Sequence, residues 1–361
     1  MDIITYNSKK LKKEAILSSN AMDVGCHCPM DYVLEEALNF DMLDTLIVGI
    51  GECAFYSKLI TSEYGQQHWS YRLADNDLVF GCEKQIKQCV TEMLANTSND
   101  LLILVTCIPN IANLDIEGYI RELNQDKRIY ILATPHFKGF SPFDSILDLY
   151  SLLLSRQVRT STRDAVAVWG ENKSIVCKFK QEHIVGQTTI ARLGELLECQ
   201  RHIVFERRYL RGVKDYCDKY NLPLYNFVGL EVADVYSTYY KELGVKDVSA
   251  KARQLEEQIK LKPKKVAIKA RHGVEIAKYL ANFGIKTTLL IVDDFNVSNY
   301  EKISSYDNDI MIVKDYSVKF EQIKNCEYDA ELDFTKVEEE LFNKYGCELT
   351  SSLCEFALET L

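Results

Sequence analysis

No stretch of this 361-residue chain approaches the ~18 uninterrupted apolar residues of a membrane span. Its longest apolar runs, such as 101–108, have the length of a core strand. The basic N-terminus, MDIITYNSKKLKKEAILSS, lacks the apolar segment of roughly 7–15 residues that a secretory leader carries. A cytosolic location is expected, with no membrane contact. Basic excess is missing too: 43 Lys+Arg face 53 Asp+Glu, a net charge of −10. That argues against a general nucleic-acid binder. There is no Gly-x-x-x-x-Gly-Lys-Ser/Thr, which excludes a nucleotide-hydrolysing P-loop within the chain. No Gly-x-Gly-x-x-Gly follows a strand; the segment VGIGEC offers only Gly49-x-Gly51. Gly-x-Ser-x-Gly and His-Glu-x-x-His are also missing. The composition, 47% hydrophobic and 27% charged, is that of a globular protein, not a disordered or collagen-like one.

What the sequence does have is twelve cysteines, at 26, 28, 53, 82, 89, 107, 177, 199, 217, 326, 347 and 354. In a reducing compartment disulfides are rare. Such cysteines are buried small hydrophobes, metal ligands or reactive thiols.

Short β-branched runs alternate with amphipathic stretches. Strands are predicted at 43–49, 100–107, 128–133, 165–169, 202–205, 224–228, 265–269, 287–292 and 309–313. Helices are predicted at 83–95, 116–124, 145–155, 189–199, 210–220, 232–243, 248–260 and 274–283, with two more in 334–361 broken around Tyr345–Gly346. Strand, helix, strand in series means an α/β protein with parallel sheets. Polar joints at SRQVRTSTR and LKPKK divide it into three Rossmann-like units around a central cleft: 1–158, 159–262 and 263–361. At about 150 residues per domain, two or three domains are expected.

Open α/β sheets bind ligands at the carboxyl ends of their strands. Cys53 follows the strand LDTLIVG through Ile50-Gly51-Glu52. Cys107 ends the strand DLLILVT, with Pro109 stopping it. Cys26 and Cys28 lie in a turn-like segment, VGCHCPM. The separations of Cys28, Cys53 and Cys107, 25 and 54 residues, fit neither a zinc ribbon nor a compact ferredoxin run. On spacing alone, a shared metal site and ordinary packing both stay open, and packing is the commoner case. Cys82, after Gly81 at a helix start, is a further candidate thiolate. The remaining seven cysteines read as ordinary. His27 and His136 stand in turns or at strand ends. Arg207, Arg208 and Arg211 open a helix and suit either an anion or solvent.

Four segments together resemble a known family. CPMDYVLEEALNFDMLDTLIVGIGECAFYSKL is similar to the stretch holding the first two cluster cysteines of component 1 subunits in the nitrogenase superfamily. NDLVFGCEKQIKQCV resembles that family's Val-Phe-Gly-Gly and following helix. ILVTCIPNIANLDIEGYI resembles its Thr-Cys-x-x-x-x-Ile-Gly-Asp-Asp-Ile motif, and ILATPHFKGF its Thr-Pro-x-Phe-x-Gly. The superfamily includes nitrogenase subunits, their cofactor-assembly scaffolds, light-independent protochlorophyllide and chlorophyllide reductases, and nickel-sirohydrochlorin diamide reductive cyclase.

The resemblance implies cluster ligands at Cys28, Cys53 and Cys107, with Cys26 and Cys82 in reserve, Tyr56 as the following tyrosine and Asp115 as the retained acid. It implies an iron–sulfur cluster, [4Fe–4S], at a subunit interface. It also implies a homodimer or a heteromer with a related chain, and a separate P-loop iron–sulfur reductase as electron donor. The acceptor it implies is a tetrapyrrole or another small molecule. A scaffold for metallocluster assembly is the alternative. The chain departs from the family at Val48, where a histidine is usual, at Glu52, and at Asn113-Leu114. The cysteine that holds the iron–molybdenum cofactor in catalytic nitrogenase subunits matches Phe205, so dinitrogen reduction is not implied. Arg207 fits a nearby family arginine.

Overall fold

The computed structural model describes residues 5–7, 28–62, 68–123, 129–135, 142–170, 177–184, 188–262, 264–292, 310–324 and 326–360. Along the chain come β1 (Thr5–Asn7), α1 (Pro29–Ala37), β2 (Phe40–Asp41), β3 (Leu43–Gly49), α2 (Gly51–Thr61), β4 (His68–Arg72), α3 (Asp75–Phe80), α4 (Glu83–Asn96), β5 (Asp100–Val105), α5 (Cys107–Ile111), α6 (Ile116–Ile120), β6 (Ile129–Ala133) and α7 (Pro142–Ser155). Then follow β7 (Arg163–Trp169), β8 (Lys180–His183), β9 (Thr188–Thr189), α8 (Ile190–Leu197), β10 (Cys199–Val204), α9 (Arg207–Tyr220) and β11 (Leu224–Asn226). The remainder holds α10 (Ala233–Leu243), α11 (Ala250–Ile259), β12 (Lys265–Lys269), α12 (Gly273–Ala281), β13 (Lys286–Val292), β14 (Met311–Lys314), β15 (Ala330–Asp333), α13 (Glu338–Phe342) and α14 (Gly346–Thr360).

These elements pack as two compact units. One takes the described residues within 20–172 and 180–224, the other those within 1–19, 173–179 and 225–361. The first unit contains the parallel sheet β4-β3-β5-β6. β3 and β5 are apolar runs with almost every residue buried, as a strand covered by helices on both faces requires. Leu46, Val48, Ile103 and Val105 pack there against Ile86, Val90 and Met93 of α4. The same unit holds the short pair β2-β9 and a sheet ordered β11-β10-β7-β8, with β11 beginning at the unit's last residue. In the second unit the sheet is β1-β14-β13-β12-β15, parallel except for β1, which runs antiparallel to β14. This is the α/β class with parallel sheets that the sequence predicts.

The strands missing from the sequence reading are polar. β4 (HWSYR), β8 (KQEH) and β15 (AELD) each lie at one end of their sheet's strand order, where one side has no partner strand and apolar residues are not demanded. Helices α1 and α2 were also not predicted. The strand expected to reach Cys107 stops at Val105, and Cys107 starts a helix instead.

Two histidines, one buried and one half-buried, tie the first unit's stability to pH. His202 on β10 is fully buried, and its Nδ1 accepts a hydrogen bond from Trp169 Nε1 at 3.1 Å. Burial lowers its pKa to about 4, and Arg159 pushes the same way. His68 on β4, held by Thr45 Oγ1 at 2.8 Å and Ser57 Oγ at 3.0 Å, is also lowered to about 4 by burial. Both are neutral in the folded state, whereas the unfolded chain takes up protons first as pH falls. Their contribution is therefore complete above about pH 6.5 and is lost as pH falls toward 4. Denaturant unfolding at pH 7 and pH 4.5 should differ by about 2 kcal/mol from His202 alone. His202→Phe should reduce that difference.

Candidate functional site

β3 sits between β4 and β5. The chain leaves β3 through α2 to reach β4 on one side, and returns through α3 and α4 to β5 on the other. That reversal of strand order opens a crevice beyond the carboxyl ends of β3 and β5. Cys53 stands in the first turn of α2, after β3. Cys107 is the first residue of α5, after β5. Because β3 and β5 are hydrogen-bonded neighbours, with Val48 opposite Val105, the two cysteines emerge side by side.

Gly49 shows how closely. A Cβ placed on it would lie 3.1 Å from Cys53 Sγ and 2.5 Å from Thr106 Oγ1, the residue before Cys107. Thr106 is fastened to β3 by its own N–H and hydroxyl, both donating to Val48 O at 3.1 Å. Asn110 Nδ2 closes the α5 turn, donating to Val105 O at 3.0 Å and Thr106 O at 2.8 Å. Cys28 arrives from a third direction. It precedes Pro29 at the start of α1, whose helix packs on α7 and α2. Burial pushes the Cys28 thiol up to about 11, and the charges of Asp31 and Cys107 act in the same sense, against the N–H groups of Met30 and Asp31. Cys107 is therefore near enough to Cys28 for its charge to be felt.

All three cysteines are half-buried, and none of the described cysteines is in a disulfide. Each stands at a helix N-terminus, the positive end of the helix dipole. Among the described residues no three His, Cys, Asp or Glu stand close enough to hold a single metal ion. An iron–sulfur cluster makes a different demand, since its several irons each take a different thiolate. A half-buried set of soft sulfur donors fits such a group.

The other sequence candidates are placed differently. Cys26, His27 and His136 lie outside the described residues. Cys82 is fully buried in the β3–β5 core beside Ile86. Its thiol is raised to about 11 by burial, with Asp77 adding to the effect. Asp115 caps α6, accepting from Gly118 N at 2.8 Å. The arginine cluster of α9 is engaged within the protein. Arg208 pairs with Glu36 at 2.7 Å and Glu206 at 3.0 Å, Arg211 pairs with Asp148 and Asp144, and Arg207 lies over the Phe143 ring at 5.5 Å. Phe205 is buried at the end of β10. Sequence reasoning treated Gly49-x-Gly51 as a weak nucleotide signal. Here Gly49 makes room for Cys53 and Thr106, and Gly51 makes room for the guanidinium of Arg72.

Large apolar side chains are exposed on the two helices that begin at these cysteines and on the short helix α3. Phe55, Tyr56 and Leu59 on α2 are each more than half exposed. So are Ile111 at the end of α5 and Val79 and Phe80 at the end of α3, the last 83% exposed. No helix among the described residues is long and apolar enough to cross a membrane.

Residues 37–161, which include Cys53 and Cys107, match the family model of Nitrogenase component 1 type Oxidoreductase. No curated protein matches the chain in sequence. Among solved structures, one described as "Nitrogenase Cp1 at pH 6.5" is similar with a TM-score of 0.51 at 14% identity, over 77% of this chain and 73% of that chain. Another, "Nitrogenase Cp1 at pH 5", is similar with a TM-score of 0.50 at 12% identity, over 93% and 88%. At such identities the likeness is one of fold.

Proposed function

Starting from a chain that is nitrogenase component 1-like, we propose that it is an oxidoreductase subunit holding an iron–sulfur cluster, [4Fe–4S], at Cys28, Cys53 and Cys107. The single observation that carries this reading is the meeting of Cys53 and the Thr106–Cys107 turn across Gly49, with Cys107 acting on Cys28. The cluster supplies one-electron chemistry when bound. The chain's own part is to hold the thiols. Thr106 and Asn110 fix the α5 turn, Gly49 leaves space for Cys53, and Glu36 fastens α1 behind Cys28.

Three half-buried cysteines leave one side of such a group uncovered by this chain. The exposed Phe55, Tyr56, Leu59 and Ile111 beside them form an apolar rim suited to a second subunit, either another copy or a related component 1-like chain. Val79 and Phe80 offer a further apolar contact for a P-loop iron–sulfur reductase, which would bring the ATP chemistry this chain lacks. The acceptor in this reading is a tetrapyrrole or another small molecule. Phe205 in place of a cofactor cysteine agrees with an acceptor other than dinitrogen. A cytoplasmic location goes with this chemistry.

Purification without oxygen followed by iron and sulfide analysis tests the reading. The expected result is a brown protein with broad visible absorbance and matching iron and sulfide. A colourless, iron-free protein after reconstitution overturns it. A second reading, an assembly scaffold, is favoured by Val48, Glu52 and Asn113-Leu114, which depart from the family pattern. Turnover of an acceptor with reductase and ATP separates the two.

A further inference from the structure

Arg72 is the last residue of β4, directly opposite Gly49 in the parallel pairing with β3. Its backbone is held there by the next residue, Leu73, whose N–H donates to Gly49 O at 2.8 Å. The side chain reaches over Gly51, the first residue of α2. A Cβ on Gly51 would stand 3.1 Å from Arg72 Nη2 and 3.7 Å from Cζ and Nε. Gly51 has an ordinary negative φ, so its backbone does not call for glycine. The guanidinium is in tight contact with the space a Cβ there would take. Two residues further along α2 is Cys53, whose sulfur lies against Gly49.

This placement is electrostatically one-sided. A helix N-terminus already carries partial positive charge, and a cation set against it adds to the imbalance. Among the described residues no carboxylate pairs with Arg72; Arg72 and Glu52, which stands in the same turn beside Cys53, are both exposed to solvent. The N-terminus of α1 also adds to the positive field through Cys28. So the corner where Gly49, Gly51, Cys53 and Thr106 meet has a guanidinium and a helix N-terminus set beside the Cys53 sulfur.

Resting on the cluster reading above, we propose that Arg72 is a positioning residue for charge at this corner: its guanidinium favours the more negative, one-electron-reduced state of the thiolate-held cluster and so raises its potential. The electron comes from the reductase partner, or from dithionite in a titration. No proton transfer or bond change accompanies the electron.

Arg72→Gln and Arg72→Lys test it, each purified without oxygen and reconstituted beside the unaltered protein. Arg72 is exposed, so both variants should fold and bind iron as the parent does. Redox titration with dithionite, followed by electron paramagnetic resonance, is the readout. At the parent's midpoint, Arg72→Gln should show about a tenfold lower reduced-to-oxidised ratio, ~59 mV more negative for a one-electron couple. Arg72→Lys should stay near the parent, since it keeps the charge. An Arg72→Gln protein with full iron and an unchanged midpoint overturns the role of Arg72 and leaves the cluster reading standing. Partial iron loss with an unchanged midpoint overturns it too, because Arg72 would then only support the turn at Gly51. If the parent protein takes up no iron, the cluster reading itself fails, and this inference with it.

Discussion

Cys107→Ser should lose nearly all its iron, whereas Cys217→Ser should keep it. Cys107 opens α5 at the crevice, half-buried, next to a threonine that is bonded to β3. Serine keeps the shape but replaces a soft thiolate with a hydroxyl that binds iron poorly and ionises with difficulty. Losing an outer residue around a metal site typically costs about 10–100-fold in affinity, and losing a ligand should cost no less. Cys217 is a different kind of cysteine. It is 1% exposed on α9, and burial pushes its thiol up to about 12. It is a small hydrophobe, and serine there should cost stability alone. Iron per chain after anaerobic reconstitution distinguishes the two. Equal iron in both variants would sink the assignment of Cys107.

Glu36→Ala should destabilise the first unit by about 3 kcal/mol, and Glu36→Gln by less. Glu36 on α1 is buried. It takes two hydrogen bonds from Arg208 Nη1, at 2.7 and 2.9 Å, and one from Tyr150 OH at 2.5 Å. One carboxylate thus joins α1 to α7 and α9. Alanine strands Tyr150 OH and leaves Arg208 with Glu206 as its carboxylate. Arg208 is partly open to solvent, which sets the cost near the low end for a broken buried pair. Glutamine keeps an acceptor but loses the charge. Urea unfolding followed by circular dichroism reads both. Cys28 stands at the start of the same helix, so Glu36→Ala should also weaken iron retention in protein that remains folded. Wild-type-like unfolding of Glu36→Ala would show that α1 is held by its apolar face alone.

Much of the fold is legible along the chain because parallel strands buried on both faces must be apolar throughout. LDTLIVG, DLLILV and KTTLLIV announce themselves for that reason. β4 does not, since a strand at the end of its sheet's order is free to read HWSYR. The same freedom hid Arg72, which no spacing rule connects to Cys53. Helices α1 and α2 are harder to read because Cys28 and Ile50 stand at their N-caps instead of ordinary capping side chains.

The sequence by itself determined the α/β class and the order of the buried strands, and a family motif drew attention to three cysteines. It could do so because burial and strand pairing act through local composition, and a motif is a local string. Only the tertiary structure decided what lies beside what. Parallel pairing of β3 with β5 brings residues 53 and 107 to one crevice and makes Gly49 the space between them. It buries Cys82 in a core, turns Asp115 into a helix cap and engages Arg208 with Glu36. Those outcomes depend on contacts between residues far apart in the chain, which composition and periodicity do not encode.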